Sequence, residues 1–348
     1  MAVTFHDSGA LDSVGRPIWY RLFAGRRWWH NRVFSSEQSI ERTDDGFLVN
    51  WRGRGRVVAR RIDRLRPGGS RAVILASGPS VALLEQPERL FQMPVACVNG
   101  SVSLPSRLGM RCAYLIVSDA RFVRDRPDLF RTGAGLADAL VLDPTTLFAA
   151  MQFASDALER THVFLVDNAL HPFKRPRPSR AALAADRRLL VHPSRRIAFS
   201  LDPSAGVCSA GTVVYNAVQI LFGIGYSELF VFGMDLSEGS RFYAEGKPAA
   251  NELARAFDGS IEPGFELVAE YLRRTGRKLV NASANSRLPG TCIPKVDGNA
   301  VLDSQAKGQS LTPSQFPCRA HERVGQLSAW CVGGTGEAPT NIRLTCPP

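Results

Sequence analysis

Four short clusters of small and polar residues in this chain have the types needed to hold a phosphate and move a proton: Ser77-Gly78-Pro79-Ser80, Asn99-Gly100-Ser101, Ser118-Asp119-Ala120-Arg121 and Gly233-Met234-Asp235. The first joins an apolar run to the helical start Val81-Ala82-Leu83-Leu84. A glycine turn lets backbone N–H groups approach a ligand, and a helix N-terminus favours negative charge. The cluster lacks the GKS or GKT of a Walker loop and the three glycines of the dinucleotide fingerprint, so alone it reads equally as a plain strand-to-helix turn. The Asn99 amide suits a base edge or a sugar hydroxyl, and Asp119 suits a hydroxyl that it binds or deprotonates. Each also reads as a helix cap. Beyond Asp235 stand Ser237, Ser240, Arg241 and Tyr243. These hydroxyls and the guanidinium are the groups that stabilise charge on a departing nucleotide phosphate, and the bland alternative is a capped loop with a core tyrosine.

Metal-dependent chemistry finds no support in the motifs: HExxH, DxD and spaced His/Cys clusters are missing. The six histidines, His6, His30, His162, His171, His192 and His321, are dispersed, and His162, opening an apolar run, reads as a core residue. No cofactor is expected.

The elements that must position these clusters follow from the pattern around them. From Arg71 onward short β-branched runs alternate with helical stretches, which is the signature of an α/β fold: a Rossmann-like, mostly parallel sheet with helices on both faces. Strands are expected at Ala72 to Ala76, Pro94 to Val98, Ala113 to Val117, Ala139 to Leu142, His162 to Val166, Glu228 to Phe232 and Lys278 to Val280. Each stops at small or polar residues, and in a parallel sheet such ends share the carboxyl edge, where open α/β sheets bind ligands. The stretch Phe199 to Tyr243 joins a small-residue loop to a long apolar helix and then to a buried strand ending at Asp235.

Three regions are expected. Residues 1–66 are a basic, aromatic lead-in, 67–299 the main α/β domain that carries the candidate chemistry, and 300–348 a poorly ordered tail rich in Gly, Ser, Thr, Pro and Gln. The stretch Ala169 to Pro193 carries Lys174, Arg175, Arg177, Arg180, Arg187 and Arg188 and reads as a surface insertion, either a lid or acceptor-binding segment or simply solvated basic surface.

Net charge is +11, and thirteen arginines against five acids between Arg16 and Arg66 place most of the excess in the lead-in. An anionic partner is implied. Trp19, Tyr20, Phe23, Trp28, Trp29 and Phe34 alternate there with arginines, a mixture that suits an anionic membrane surface and equally an ordinary subdomain with core tryptophans. No recognisable RNA or DNA module accompanies it, so nucleic acid is not the expected partner. There is no signal-peptide pattern and no apolar run that could span a bilayer; Val213 to Met234 is interrupted by Asn216, Gln219, Ser227 and Glu228. Seven scattered cysteines without a CxxC pair read as reduced thiols. The expected location is the cytoplasm, with any membrane contact peripheral. Oligomeric state is not encoded in any feature of the sequence.

ILASGPS, VACVNGS, YLIVSDARFV, the loop CSAGT, the strand FVFGMDL and the segment GSRFYAE together resemble the lipopolysaccharide core Kdo transferases of the RfaZ/WaaZ type. More distantly they are similar to bacterial CMP-sialic-acid sialyltransferases. The similarity runs from about Ala72 to Ser283. It implies a single, GT-A-like main domain and a CMP-activated donor, with Kdo (3-deoxy-D-manno-octulosonic acid) first and sialic-type sugars second. By the same resemblance Ser77, Gly78, Ser80, Asn99 and Ser118 line the nucleotide pocket, Ser209, Gly211 and Thr212 face the donor, and Tyr243 is the second phosphate-binding tyrosine; Gly233, at the end of its strand, is also expected among the substrate-binding residues. Ser237 stands where the first would be, with Arg241 compensating.

The sialyltransferases use a histidine base after the GMD-like strand end, and Ala244 to Arg277 contains none. Asp119, Asp235, Glu245 and Glu252 remain as bases, Asp119 foremost. The expectation is an inverting transfer of Kdo from CMP-Kdo to the lipopolysaccharide inner core. Alternatives are another nonulosonate transferase, a pterin pyrophosphokinase-like enzyme, and a non-enzymatic protein that binds anionic surfaces.

Overall fold

A computed structural model of the chain describes residues 25–237, 241–243 and 252–306. The strands are β1 (Gln38–Arg42), β2 (Gly46–Trp51), β3 (Gly55–Arg61), β4 (Arg71–Leu75), β5 (Val95–Val98), β6 (Cys112–Val117), β7 (Ala137–Leu142), β8 (His162–Leu165), β9 (Leu189–Val191), β10 (Ala198–Ser200), β11 (Glu228–Phe232) and β12 (Lys278–Asn281). Ten of them form one sheet in the order β1-β2-β3-β8-β7-β6-β5-β4-β11-β12. From β3 to β12 every neighbouring pair is parallel, as expected for strands linked by helical crossovers.

Side chains alternate between the two faces, and both faces are covered, so the central strands are apolar throughout. Ala72, Ile74, Ala96, Val98, Tyr114 and Ile116 face the helices Val213–Ile224 and Glu262–Thr275. Val73, Leu75, Val95, Cys97, Leu115 and Val117 face the opposite layer, which includes the helices Pro127–Leu136, Pro144–Phe153 and Gly298–Ala306. Ile74 and Leu75 are fully buried, and each such side chain contributes about 2 kcal/mol.

All seven strands expected from the sequence are present, within two residues at every end. Several other expectations need correcting. Residues 38–61, assigned to the lead-in, form the β1-β2-β3 meander, and β3 pairs with β8, so this segment extends the sheet. Its strands are polar on the exposed face and rich in arginine, which hid their alternation. Residues 300–306, assigned to the tail, belong to the helix Gly298–Ala306, whose Val301 and Leu302 are buried. The basic insertion is partly regular: a helix at Arg180–Ala185, then β9 pairing antiparallel with β10. His162 is exposed at the start of β8 rather than buried in the core, because it sits before the first inward-facing position. Cys97, Cys112 and Cys208 are buried free thiols and Cys292 is a half-buried one. No helix among the described residues is long and apolar enough to cross a membrane.

The strand order fixes where a ligand can enter. From β4 the chain moves outward to β5, β6, β7 and β8, then returns to place β11 on the other side of β4. Adjacent strands whose following loops diverge open a crevice at their carboxyl ends. That switch point lies between β4 and β11.

Candidate functional site

At the switch point the Ser77–Ser80 turn and the Gly233–Asp235 turn are built against each other. The Gly78 N–H donates to the Gly233 carbonyl at 2.8 Å, and the Ala76 N–H to the Phe232 carbonyl at 2.8 Å. Asp235, 5% exposed, accepts through Oδ2 from the Ser80 N–H at 3.1 Å and the Ser80 hydroxyl at 2.9 Å. With its proton committed to Asp235, Ser80 Oγ accepts from the Ser283 hydroxyl at 3.1 Å. A side chain at Gly78 would collide with Asp235 Oδ2 and come within 2.5 Å of the Gly233 carbonyl. Gly233 has φ +73°, in the left-handed region that glycine tolerates. Both glycines are therefore required by close packing of the two turns. The helix expected after Ser80 is only the 3₁₀ segment Pro79–Leu83, so the turn offers no long helix dipole.

A second group stands over the β5 end. Asn99 adopts φ +47°, and its Oδ1 is buried without a hydrogen-bond partner. The absence of a side chain at Gly100 admits the Tyr243 ring, whose Cζ would lie 2.7 Å from a Cβ there. Tyr243 Oη accepts from Arg241 Nη1 at 3.1 Å, the Arg126 guanidinium lies 5.9 Å from the ring centre, and the Phe242 N–H donates to the Ser77 carbonyl at 3.2 Å. Residues 241–243 thus strap the ends of β4 and β5. A tyrosine hydroxyl and a guanidinium side by side are groups of the kind that bind an anion. Ser101 has a structural role, donating to the Leu75 carbonyl at 2.6 Å and accepting from the Val98 N–H at 2.9 Å.

The β6 end carries Ser118 and Asp119. Ser118 Oγ accepts from Asn216 Nδ2 at 3.4 Å. Asn216 is a buried residue of the helix Val213–Ile224, and its Oδ1 lacks a partner. In the sequence its one signal is a lone amide that interrupts an apolar run. Asp119 caps the helix Ala120–Asp125 through the Arg121 N–H at 3.0 Å and pairs with the Arg121 guanidinium at 3.1 Å. It remains a third exposed.

The CSAGT loop runs along the same edge. Buried Gln219 fixes it by accepting from the Ser200 and Cys208 N–H groups and donating to the Cys208 and Tyr215 carbonyls, at 2.8 to 2.9 Å. Ser209 Oγ accepts from Asn168 Nδ2 at 3.0 Å, which ties the loop to the β8 end. Gly211, at φ +81°, packs beside Ala256 and Ser260, and Thr212 caps the helix Val213–Ile224 through the Val214 N–H at 3.4 Å. That helix is long enough for its N-terminus to attract an anion to the edge.

Ser77, Gly78, Ser80, Gly233 and Asp235 are thus brought into one cluster, with Asn99, Arg241 and Tyr243 beside it. Ser118, Asp119, Ser209, Gly211 and Thr212 lie further along the edge. Ser237 is exposed at the last described position before residue 241. Glu252 opens the helix Glu252–Ala256. Ser240 and Glu245 lie outside the described residues, as do Trp19, Tyr20 and Phe23. Of the remaining aromatics of the lead-in, Phe34 is buried against Phe148 and Phe173, and Trp29 stacks on the Arg32 guanidinium at 4.5 Å. Among the described residues no three His, Cys, Asp or Glu side chains come together as a metal-ion ligand set.

The two basic segments meet at the β8 end. Asn31 Nδ2 donates to the Arg175 carbonyl and Asn31 Oδ1 accepts from the Lys174 N–H, both at 2.8 Å. His30 Nε2 donates to the Pro172 carbonyl at 2.9 Å, and the Arg177 N–H to the Arg27 carbonyl at 2.8 Å. Dispersed in sequence, His30 and His171 have ring centres 5.5 Å apart. Burial and the nearby guanidinium of Arg177 push His171 down to about 4, so it is neutral at physiological pH.

Comparison with known proteins bears on the second half of this domain. Residues 186–297 match the family model described as 3-deoxy-D-manno-octulosonic acid transferase WaaZ. A "Probable 3-deoxy-manno-octulosonic acid transferase" of Escherichia coli (strain K12) is 40% identical over 129 residues, 36% of this chain and 44% of that protein. The chain therefore spans less than half the length of this curated relative. A solved structure, the MAf glycosyltransferase from Magnetospirillum magneticum AMB-1, aligns with TM-score 0.42 and 16% identity, covering 70% of this chain and 36% of that one. The family match includes the CSAGT loop, β11 and Asp235, while Ser77, Asn99 and Ser118 lie outside it. Across residues 186–297 the chain carries the sequence pattern of the WaaZ-type Kdo transferases, the family its motifs resemble.

Proposed function

We propose that the protein is a glycosyltransferase that moves Kdo from CMP-Kdo to a sugar hydroxyl of the lipopolysaccharide inner core. The observation that carries this reading is the pairing of the two switch-point turns: the turn after β11 falls inside the WaaZ match, and the turn after β4 is locked to it through Ser80 and Asp235. The nucleotide lies over the Ser77–Ser80 turn and the Asn99 and Ser118 strand ends. Its phosphate is met by Tyr243, Arg241 and the N-terminus of the helix Val213–Ile224.

A carboxylate removes the acceptor proton as the acceptor oxygen attacks the anomeric carbon. The bond to phosphate breaks with its electron pair leaving on CMP, so the anomeric centre inverts in one displacement. Catalysis proceeds without a metal ion. The acceptor is anionic, and the joined basic segments around Arg27, Arg175 and Arg177 receive it and hold the protein on the cytoplasmic face of the inner membrane.

The test is incubation of the full chain with isotopically labelled CMP-Kdo and truncated core lipid. Transfer of label to lipid with release of CMP is expected. No release of CMP, or release without a glycosylated product, would reject the reading. CMP-sialic acid in parallel should give no product.

A further inference from the structure

A cavity of about 100 Å³ opens at the carboxyl ends of β7 and β8, away from the switch point. Its lining includes Asp143, Asp167, Asn168, His30, His171 and Phe173. These come from separate parts of the chain, and the hydrogen bond from His30 to the Pro172 carbonyl closes the assembly.

The lining has a defined chemistry. Asp167 pairs with Arg175 at 2.8 Å and accepts from the Asn168 N–H at 2.8 Å and the Phe173 N–H at 3.1 Å. Asp143 accepts from the Thr146 N–H at 2.7 Å, and among the described residues no cation pairs with it. The groups facing Asp143 are Asp167 from the β8 end, Asp119 from the β6 end, and His30 and His171 across the cavity. His171 is neutral at pH 7, and burial also lowers His30. At neutral pH the lining thus presents carboxylate and imidazole acceptors beside an aromatic ring. Such a surface suits a ligand with several hydroxyl donors and an apolar C–H face, which is a sugar ring.

Location adds a second argument. β7 lies three strands from β4, or about 14 Å at the usual strand spacing. Ser209, on the loop that faces the donor by resemblance, reaches the cavity wall through Asn168 at 3.0 Å. The cavity and the nucleotide crevice therefore share one edge and one loop.

Resting on the glycosyltransferase reading above, we propose that the β7–β8 cavity is the acceptor-sugar pocket and that the Asp143 carboxylate takes the proton of the attacking hydroxyl. The acceptor O–H bond breaks and its proton passes to Asp143. The oxygen pair forms the new bond to the anomeric carbon, and the phosphate leaves with the old bonding pair. No further reactant is needed. Enclosure pushes Asp143 up to about 6, close to the range in which a base both exists as carboxylate and accepts a proton readily. Asp167, held in place by Arg175, orients hydroxyls.

The test uses the full chain and two variants. In Asp143→Asn the helix cap is retained, since Asn caps as well as Asp. Its thermal shift with CMP should match the wild type, transfer should fall at least 100-fold in kcat, and the acid limb of the pH–rate profile, with its midpoint near 6, should vanish. Thr145→Trp places a large ring at the exposed cavity mouth. It should raise the acceptor KM at least tenfold and leave the CMP shift unchanged. Wild-type kcat and pH profile in Asp143→Asn, or an unchanged acceptor KM in Thr145→Trp, would overturn the proposal. If the wild type neither shifts with CMP nor releases CMP from CMP-Kdo, the donor assignment fails and the base role with it. Transfer that survives Asp143→Asn is a different result and leaves the donor assignment standing.

Discussion

The carboxyl edge of this sheet is finished in two opposite ways. At β4 and β11 the polar groups are consumed: Asp235 is buried, Ser80 gives and accepts, and the two turns bond to each other. At β7 and β8 the polar groups surround a space, and Asp143 carries a charge with little to balance it. The first arrangement builds a rigid wall, because every buried polar atom named there has a partner. The second holds a carboxylate in a state that folding alone would not select, which is a common mark of chemistry. Asp235 and Asp143 both follow parallel strands, yet one anchors a turn and the other lines a cavity.

The largest test of this contrast is Gly78→Ala. Its methyl would press on Asp235 and the Gly233 carbonyl, both of which belong to buried turns that cannot yield. Urea unfolding should show a loss of about 3 kcal/mol, and the shift with CMP should disappear. Full stability in this variant would show that the two turns are not locked.

Next is Asp235→Ala, which strips Ser80 N and Oγ of their acceptor. A loss of about 2–3 kcal/mol is expected by the same measurement, the cost of leaving buried donors unpaired. If the stability holds while transfer is lost, Asp235 is a base and not an anchor.

The other end of the edge should respond with the opposite sign. Because the folded-state value of Asp143 is raised from 3.8 to about 6, folding favours the protonated carboxyl. Its contribution is present below pH 4 and is lost as pH rises through 6. Asp143→Asn should therefore be more stable than the wild type at pH 8, by on the order of 2 kcal/mol, and equal to it near pH 4. Paired melts at these two pH values decide the point.

The smallest effect is expected at Asp119. Asp119→Asn keeps the cap on the helix Ala120–Asp125 and gives up only an exposed ion pair with Arg121, so its stability should change by less than about 0.5 kcal/mol. Measured transfer separates its two sequence readings. A cap leaves kcat near the wild-type value, whereas a base lowers it by orders of magnitude.

Much of the scaffold was legible in the residues. The seven parallel strands were read from apolar runs ending in small or polar residues, because strands buried on both faces need such runs and the edge where they stop needs polar ends. The β1-β2-β3 meander was missed because its arginine-rich exposed face interrupts the apolar signal. The β7–β8 cavity was missed for a different reason. His30 and His171 are separated by most of the first half of the chain, and neither has a local pattern that marks it. Only the contacts of Asn31 with Lys174 and Arg175, and of His30 with Pro172, bring them together.

By itself the sequence determined which residues end strands and on which edge they gather, since burial period and chain direction are local properties. It also carried the pattern by which residues 186–297 match the WaaZ family model. The lateral order of the strands was decided only by the tertiary structure. That order sets Gly78 against Gly233 and His30 against His171, because contacts between distant segments depend on how whole layers pack and leave no trace in the spacing of neighbours.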